Sequence, residues 1–87
     1  MLHLGGDYIV YQKNIILILD YKKAVLNPDT SLFLKALERG SQAVIIHPER
    51  SETVVITEQQ GEKKVYYSPI KSGTLLKRAI KQKGIVQ

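Results

Sequence analysis

Ile15-Ile16-Leu17-Ile18-Leu19 is the longest apolar run in the chain, and it limits the architecture more than any other feature. Lys13-Asn14 closes it on one side and Asp20 on the other. Five residues are too short for a helix, whereas a strand covered on both faces needs a continuous apolar run of about this length. The run is therefore predicted to be the central strand of a sheet. It is far short of the ~20 residues that a membrane span requires. A chain of 87 residues has room for one modest core, burying roughly 60–65% of its unfolded surface, so residues 1–87 read as a single domain.

Around this strand the punctuation residues set the other elements. Leu2-His3-Leu4 and Tyr8 to Tyr11 flank Gly5-Gly6-Asp7 and read as a hairpin. After Asn27-Pro28-Asp29, Thr30 or Ser31 is placed to cap a helix carrying Leu32, Phe33, Leu34, Ala36 and Leu37, with Gly40 expected to end it in the left-handed conformation. Ala43 to Ile46 and Thr53 to Thr57 are β-rich runs on either side of a polar loop, His47 to Glu52. Gln59-Gln60-Gly61-Glu62 makes a turn before a last short strand, Val65-Tyr66-Tyr67. Ser68-Pro69 breaks that strand, and Ser72 or Thr74 can start a final helix running to about Gln82. The order β-β-β-α-β-β-β-α, with no βαβαβ alternation, predicts an α+β domain on a largely antiparallel sheet with two helices.

The charge is not spread evenly. Seven of the thirteen Lys and Arg residues lie in the last 25 positions, with no Asp or Glu among them. Residues 1–62 hold six basic residues and all eight acids, a net of −2, so the overall +5 joins two unlike regions. A field of one sign concerns partners rather than fold, and it suits polyanions: nucleic acid first, an acidic protein or anionic membrane second. At about 100° per residue, Leu75, Leu76, Ala79 and Ile80 share one side of the final helix and Lys77, Arg78 and Lys81 the other, with Lys71 just before it. A docked amphipathic helix with a solvated lysine face would give the same wheel. Such a face normally mixes signs to gain i,i+4 pairs, and this one has no glutamate.

Several chemistries are missing from the sequence. There is no cysteine, hence no disulfide and no thiolate metal site. His3 and His47 have no second ligand at metal spacing. Gly5-Gly6 lacks the further glycines and following helix of a phosphate loop, and Ser68 is not in a nucleophile elbow. No catalytic residue, metal, cofactor or small-molecule substrate is indicated, and the start of the chain does not resemble a signal peptide. The expectation is a non-enzymatic cytoplasmic protein without a membrane partner.

Leu4-Gly5-Gly6-Asp7, Ile18-Leu19-Asp20, Arg50-Ser51 ahead of Val54-Val55, and above all Tyr66-Tyr67-Ser68-Pro69-Ile70 followed by Ser72, Thr74-Leu75 and Lys77-Arg78-Ala79 occur in that order. Together they resemble the small Firmicute proteins called extracellular matrix regulators, specifically the RemB branch, over nearly the whole chain. The resemblance implies a regulator of biofilm matrix genes, the sister RemA branch being an oligomeric DNA-binding transcriptional activator. That branch carries arginines in the loop before the second-half hairpin, where Arg50 stands here between Glu49 and Glu52. It carries a basic residue near the start of the central strand, where Lys13 precedes Asn14.

The expected function is thus an oligomeric DNA-binding regulator that contacts the phosphate backbone through Lys13, Arg50, Lys71, Lys77, Arg78 and Lys81. A single copy offers few phosphate contacts, so useful affinity requires several copies acting together. The apolar strand points to self-association as well. Two other classes stay open: a non-catalytic oligomeric adaptor whose basic face binds an acidic protein without DNA, and an RNA-associated protein. An exposed apolar groove beside the basic residues would favour the adaptor.

Overall fold

The structure, a computed structural model, describes the backbone of residues 1–82 and the side chains through residue 80. Its elements are β1 (Leu2–Gly5), β2 (Tyr8–Val10), a single 3-10 turn (Gln12–Asn14), β3 (Ile15–Asp20), α1 (Tyr21–Leu26), α2 (Pro28–Gly40), β4 (Gln42–Ile45), β5 (Thr53–Gln59), β6 (Glu62–Ser68) and α3 (Ser72–Gln82). The α+β class and the succession of strands along the chain agree with the expectation from sequence. The helix α1 is additional.

That helix exists because Asp20 does two things. It is the last residue of β3, and its carboxylate accepts a hydrogen bond from the Lys23 amide at 3.1 Å, capping the turn that follows. Pro28 constrains only the residue before it. Asn27 accordingly sits in the extended region (φ −88°, ψ 117°), closing α1 after Leu26. Its side chain accepts from the Thr30 amide at 3.0 Å, so Asn27 caps α2 in place of the expected Thr30 or Ser31, and Pro28 takes the first helical position. Gly40 is the last residue of α2 without a positive φ, and the chain leaves the helix through extended Ser41.

The main sheet has four strands in the order β3-β5-β6-β4. β3 and β6 run antiparallel to β5, and β4 runs parallel to β6. The apolar run Ile15 to Leu19 is therefore an edge strand, not the central one. The central position belongs to β5, where Thr53 to Thr57 are all buried. The apolar content of β3 misleads because a bulge lies between Ile15 and Leu17. The extra residue is what lets Ile15 and Ile18, three apart, pack on the same face. It also leaves Ile16 and Leu17 47% and 41% exposed. β5 is less apolar by composition, but its hydroxyls are accommodated: buried Thr53 donates to the Ile70 carbonyl at 2.6 Å.

Each face of the sheet has its own cover. On one, Leu2, Leu4 and Val10 of the β1–β2 hairpin and Leu75 of α3 pack on Val55 and Tyr66, joined by Ile18, Val44 and Ile46. On the other, Ala24 of α1 and Leu34 of α2 pack on Val54, Ile56, Val65 and Tyr67. The β5–β6 turn is Gln60-Gly61, both with positive φ (53° and 82°), as a two-residue type I′ hairpin requires.

The hairpin is fastened to the sheet at Ser68. Its hydroxyl is fully buried, donates to the Leu4 carbonyl at 2.6 Å and accepts from the Ile70 amide at 3.1 Å. Beside it the Pro69 ring lies against Gly5, where an added Cβ would stand 3.1 Å from the ring at a φ of +114°. α3 departs from the wheel in one respect. Leu75 is fully buried, but Leu76 and Ile80 are 47% and 57% exposed, because the helix meets the sheet along its Ser72–Leu75–Ala79 line.

Ser68→Ala is expected to strand the buried Leu4 carbonyl and lower stability by about 1–3 kcal/mol. Leu75→Ala is expected to cost about 2–4 kcal/mol and Leu76→Ala about 1 kcal/mol or less. Urea unfolding of the three variants checks the ranking, and a Leu76 effect equal to that of Leu75 would contradict the orientation of α3.

Candidate nucleic-acid interface

The loop Pro69-Ile70-Lys71 turns the chain out of β6 into α3, whose Leu75 amide reaches back to the Lys71 carbonyl at 3.1 Å. With Leu75 fixed in the core, Lys71, Lys77 and Arg78 are all exposed. Lys71 and Lys77 line a groove of about 480 Å³ with Lys22 of α1, the Ser72 and Thr74 hydroxyl residues, Asp20 and Glu52. Three cations therefore converge on two carboxylates, and Asp20 is already engaged as the cap of α1.

Arg50 reaches the same groove indirectly. Its loop folds on itself, with the Arg50 amide donating to the His47 carbonyl at 3.3 Å and the Glu49 amide to His47 Nδ1 at 3.2 Å. The Arg50 guanidinium donates through Nε to Glu52 at 3.3 Å. Glu52 is held by its backbone, donating to the Ser68 carbonyl at 2.8 Å and accepting from the Tyr21 amide at 3.0 Å. Arg50 is thus at the groove's border, linked to it by a carboxylate that offsets part of its charge.

Lys13 lies elsewhere. The 3-10 turn that carries it is tied to the second half of α3 by the Gln12 amide, which donates to the Ala79 carbonyl at 3.1 Å. Its ammonium stands 5.8 Å from the centre of the exposed Tyr11 ring. The 11 residues of α3 span about 16 Å, so Lys13 and Lys71 mark opposite ends of one helix. Lys81 is in the last turn of α3 by its backbone, and its side chain lies outside the described residues. Among the described residues the salt bridges are Arg50–Glu52 and Lys63–Glu58, so Lys22, Lys71, Lys77 and Arg78 are in neither.

Lys22 is the residue that sequence reasoning missed. The signal is present in Asp20, a helix-capping residue three positions before Lys23, but it is masked because Asp20 also ends a strand. The histidines have local roles: the His3 ring bonds the Gly6 carbonyl at 2.7 Å, and His47 accepts from Glu49. Among the described residues no group of three or more His, Cys, Asp or Glu side chains comes together, and no helix is long and apolar enough to cross a membrane.

A second, smaller cavity of about 270 Å³ lies between α2 and the β4 side of the sheet, lined by Tyr21, Val25, Leu34, Glu38, Ile45 and Tyr67 among others. Here the Tyr67 hydroxyl donates to the Glu38 carboxylate. Burial, then the Glu38 hydrogen bond and charge, hold the Tyr67 phenol well above the usual tyrosine range. A phenol raised in the folded state stabilises the fold fully below its unfolded pKa of about 10 and progressively less as pH rises above it. Tyr67→Phe removes that titration. Melting temperatures across the alkaline range are expected to fall more steeply for the parent than for Tyr67→Phe, and parallel slopes would exclude Tyr67 as a source of alkaline instability.

No protein-family model matches the chain, and no solved structure matches it. Among curated proteins it is similar to extracellular matrix regulatory protein B of Bacillus subtilis (strain 168), with 36% identity over 78 residues that cover 90% of this chain and 88% of the relative.

Proposed function

Because the chain belongs to the extracellular matrix regulatory protein B family, we propose that it regulates extracellular matrix gene expression, binding the DNA backbone as an oligomer through the basic side of α3. The observation that carries this reading is the convergence of Lys22, Lys71 and Lys77 on one groove at the start of α3, with Arg78 exposed on the same helix. Lysines so placed suit phosphate oxygens, which give affinity and orientation without reading sequence. Arg50 contributes at the border, and its pairing with Glu52 makes its share smaller than that of Lys71 or Lys77. Lys13 extends the basic track toward the other end of α3. Repetition of this track in an assembly supplies the number of contacts that one domain lacks.

One observation favours a second reading. Leu76 and Ile80 form an exposed apolar stripe beside Lys77 on α3, and an apolar stripe bordered by cations suits an acidic amphipathic protein segment. In that case the protein is an oligomeric adaptor that makes no DNA contact.

Fluorescence anisotropy of duplex DNA at about 50 and about 200 mM salt separates the two, since phosphate binding falls steeply over that interval. Lys71→Glu with Lys77→Glu is expected to abolish binding to random and promoter DNA alike, with circular dichroism unchanged. Arg50→Ala is expected to weaken it and to lower the salt slope by about 1 per protomer engaged. A folded double reversal that binds DNA like the parent overturns the groove at the start of α3 as the contact surface, and a parent that binds duplex DNA at neither salt concentration overturns the DNA reading and leaves the adaptor.

A further inference from the structure

The two edges of the four-stranded sheet are β3 and β4, and they are built differently. β3 carries the bulge at Ile16, a device that bends an edge and discourages another strand from pairing with it. β4 has no such protection. Gln42-Ala43-Val44-Ile45 keeps an unbroken register with β6 and contains no charge and no proline. Among the described residues no loop or turn hydrogen bond involves the β4 backbone. Its outward N–H and C=O groups therefore present a flat template, and beside them Ile45 is 64% exposed.

We propose that this edge pairs with the same edge of a second copy, antiparallel across a twofold axis perpendicular to the sheet. The proposal rests on the oligomer reading above and names the contact that would build it. Side-chain alternation and the strand ends select the register. Ala43 is the β6 neighbour of Val65 and Ile45 of Tyr67, both on the face covered by α1 and α2, while Val44 is the neighbour of Tyr66 on the face covered by the hairpin and α3. Directly opposed residues in a ladder share a face. Val44 opposite Val44 of the second copy satisfies this, and it sets Ile45 against Ala43 of the second copy. The large exposed side chain then lies beside the smallest one in the strand, twice by symmetry. The two neighbouring permitted registers set Ala43 on Ala43, leaving Ile45 opposite Ser41, or Ile45 on Ile45, leaving Ala43 opposite His47, in each case beyond the strand end.

Self-pairing fits this edge better than capture of a foreign strand. β4 has no charged residue with which to select a partner, whereas its large-small alternation is complementary to itself. The result is a continuous eight-stranded sheet with both helix pairs on one side and both copies of α3 on the other. The two basic grooves then face the same way.

Because the chain contains no cysteine, Val44→Cys reports the register directly. Residues opposed in an antiparallel ladder come within disulfide reach, so this variant is expected to cross-link to a dimer under mild oxidation, while Ala43→Cys, two positions out of register with its own copy, stays uncross-linked. Ile45→Lys is expected to lower the assembly state by native mass spectrometry with circular dichroism unchanged, and Leu17→Lys on the β3 edge to leave it intact. A parent that is monomeric overturns both this pairing and the oligomer reading. An oligomeric parent whose mass survives Ile45→Lys, or is lost with Leu17→Lys, overturns the pairing alone.

Discussion

Everything in this domain hangs on the ladder between β5 and β6. Among the described residues it is the one strand pair with neighbours on both sides and cover on both faces. Alternation along β5 sends Val55 to the hairpin-and-α3 layer and Val54 and Ile56 to the α1–α2 layer. Each strand of the ladder therefore serves two cores at once. A small chain has few other ways to bury apolar surface, and the Gln60-Gly61 turn fixes the register on which both layers depend. A slip of one residue would exchange the two faces and present each cover with the wrong side chains.

Much of the fold was legible in the sequence because local chemistry and tertiary structure agree there. The hairpin at Gly5-Gly6-Asp7, the turn at Gln60-Gly61, the break at Ser68-Pro69 and the extent of α3 all follow from residues with strong backbone preferences. Sheet order was not legible. Ile15 to Leu19 looks more central than Thr53 to Thr57 by hydropathy alone, and only strand pairing reveals that its extra residue is a bulge at an edge. The helix α1 was hidden for a related reason: Asp20 ends a strand and caps a helix with no residue between them.

The residues that made the family recognisable turn out to sit at the joints of the structure. Ser68 and Pro69 meet Leu4 and Gly5 directly, through a buried hydroxyl and a ring laid against a bare α-carbon. The motif from the start of the chain and the motif from its second half are two sides of one contact. Lys22, Lys71, Lys77 and Arg78, which carry the functional reading, are exposed and held by no such contact. Helical periodicity found Lys77 and Arg78, the one-signed charge block brought in Lys71, and neither could find Lys22, which joins them only through folding.

Glu52 occupies the seam between these two kinds of residue. Its main chain bridges the end of β6 to the start of α1, while its side chain lines the groove and its carboxylate accepts from Arg50. Backbone and side chain thus answer to separate demands at a single position. The peptide groups need no particular side chain to make their bridge, which leaves the carboxylate free to vary. A change of side chain at this one position can therefore raise or lower the surface potential of the groove while the bridge between β6 and α1 stays in place.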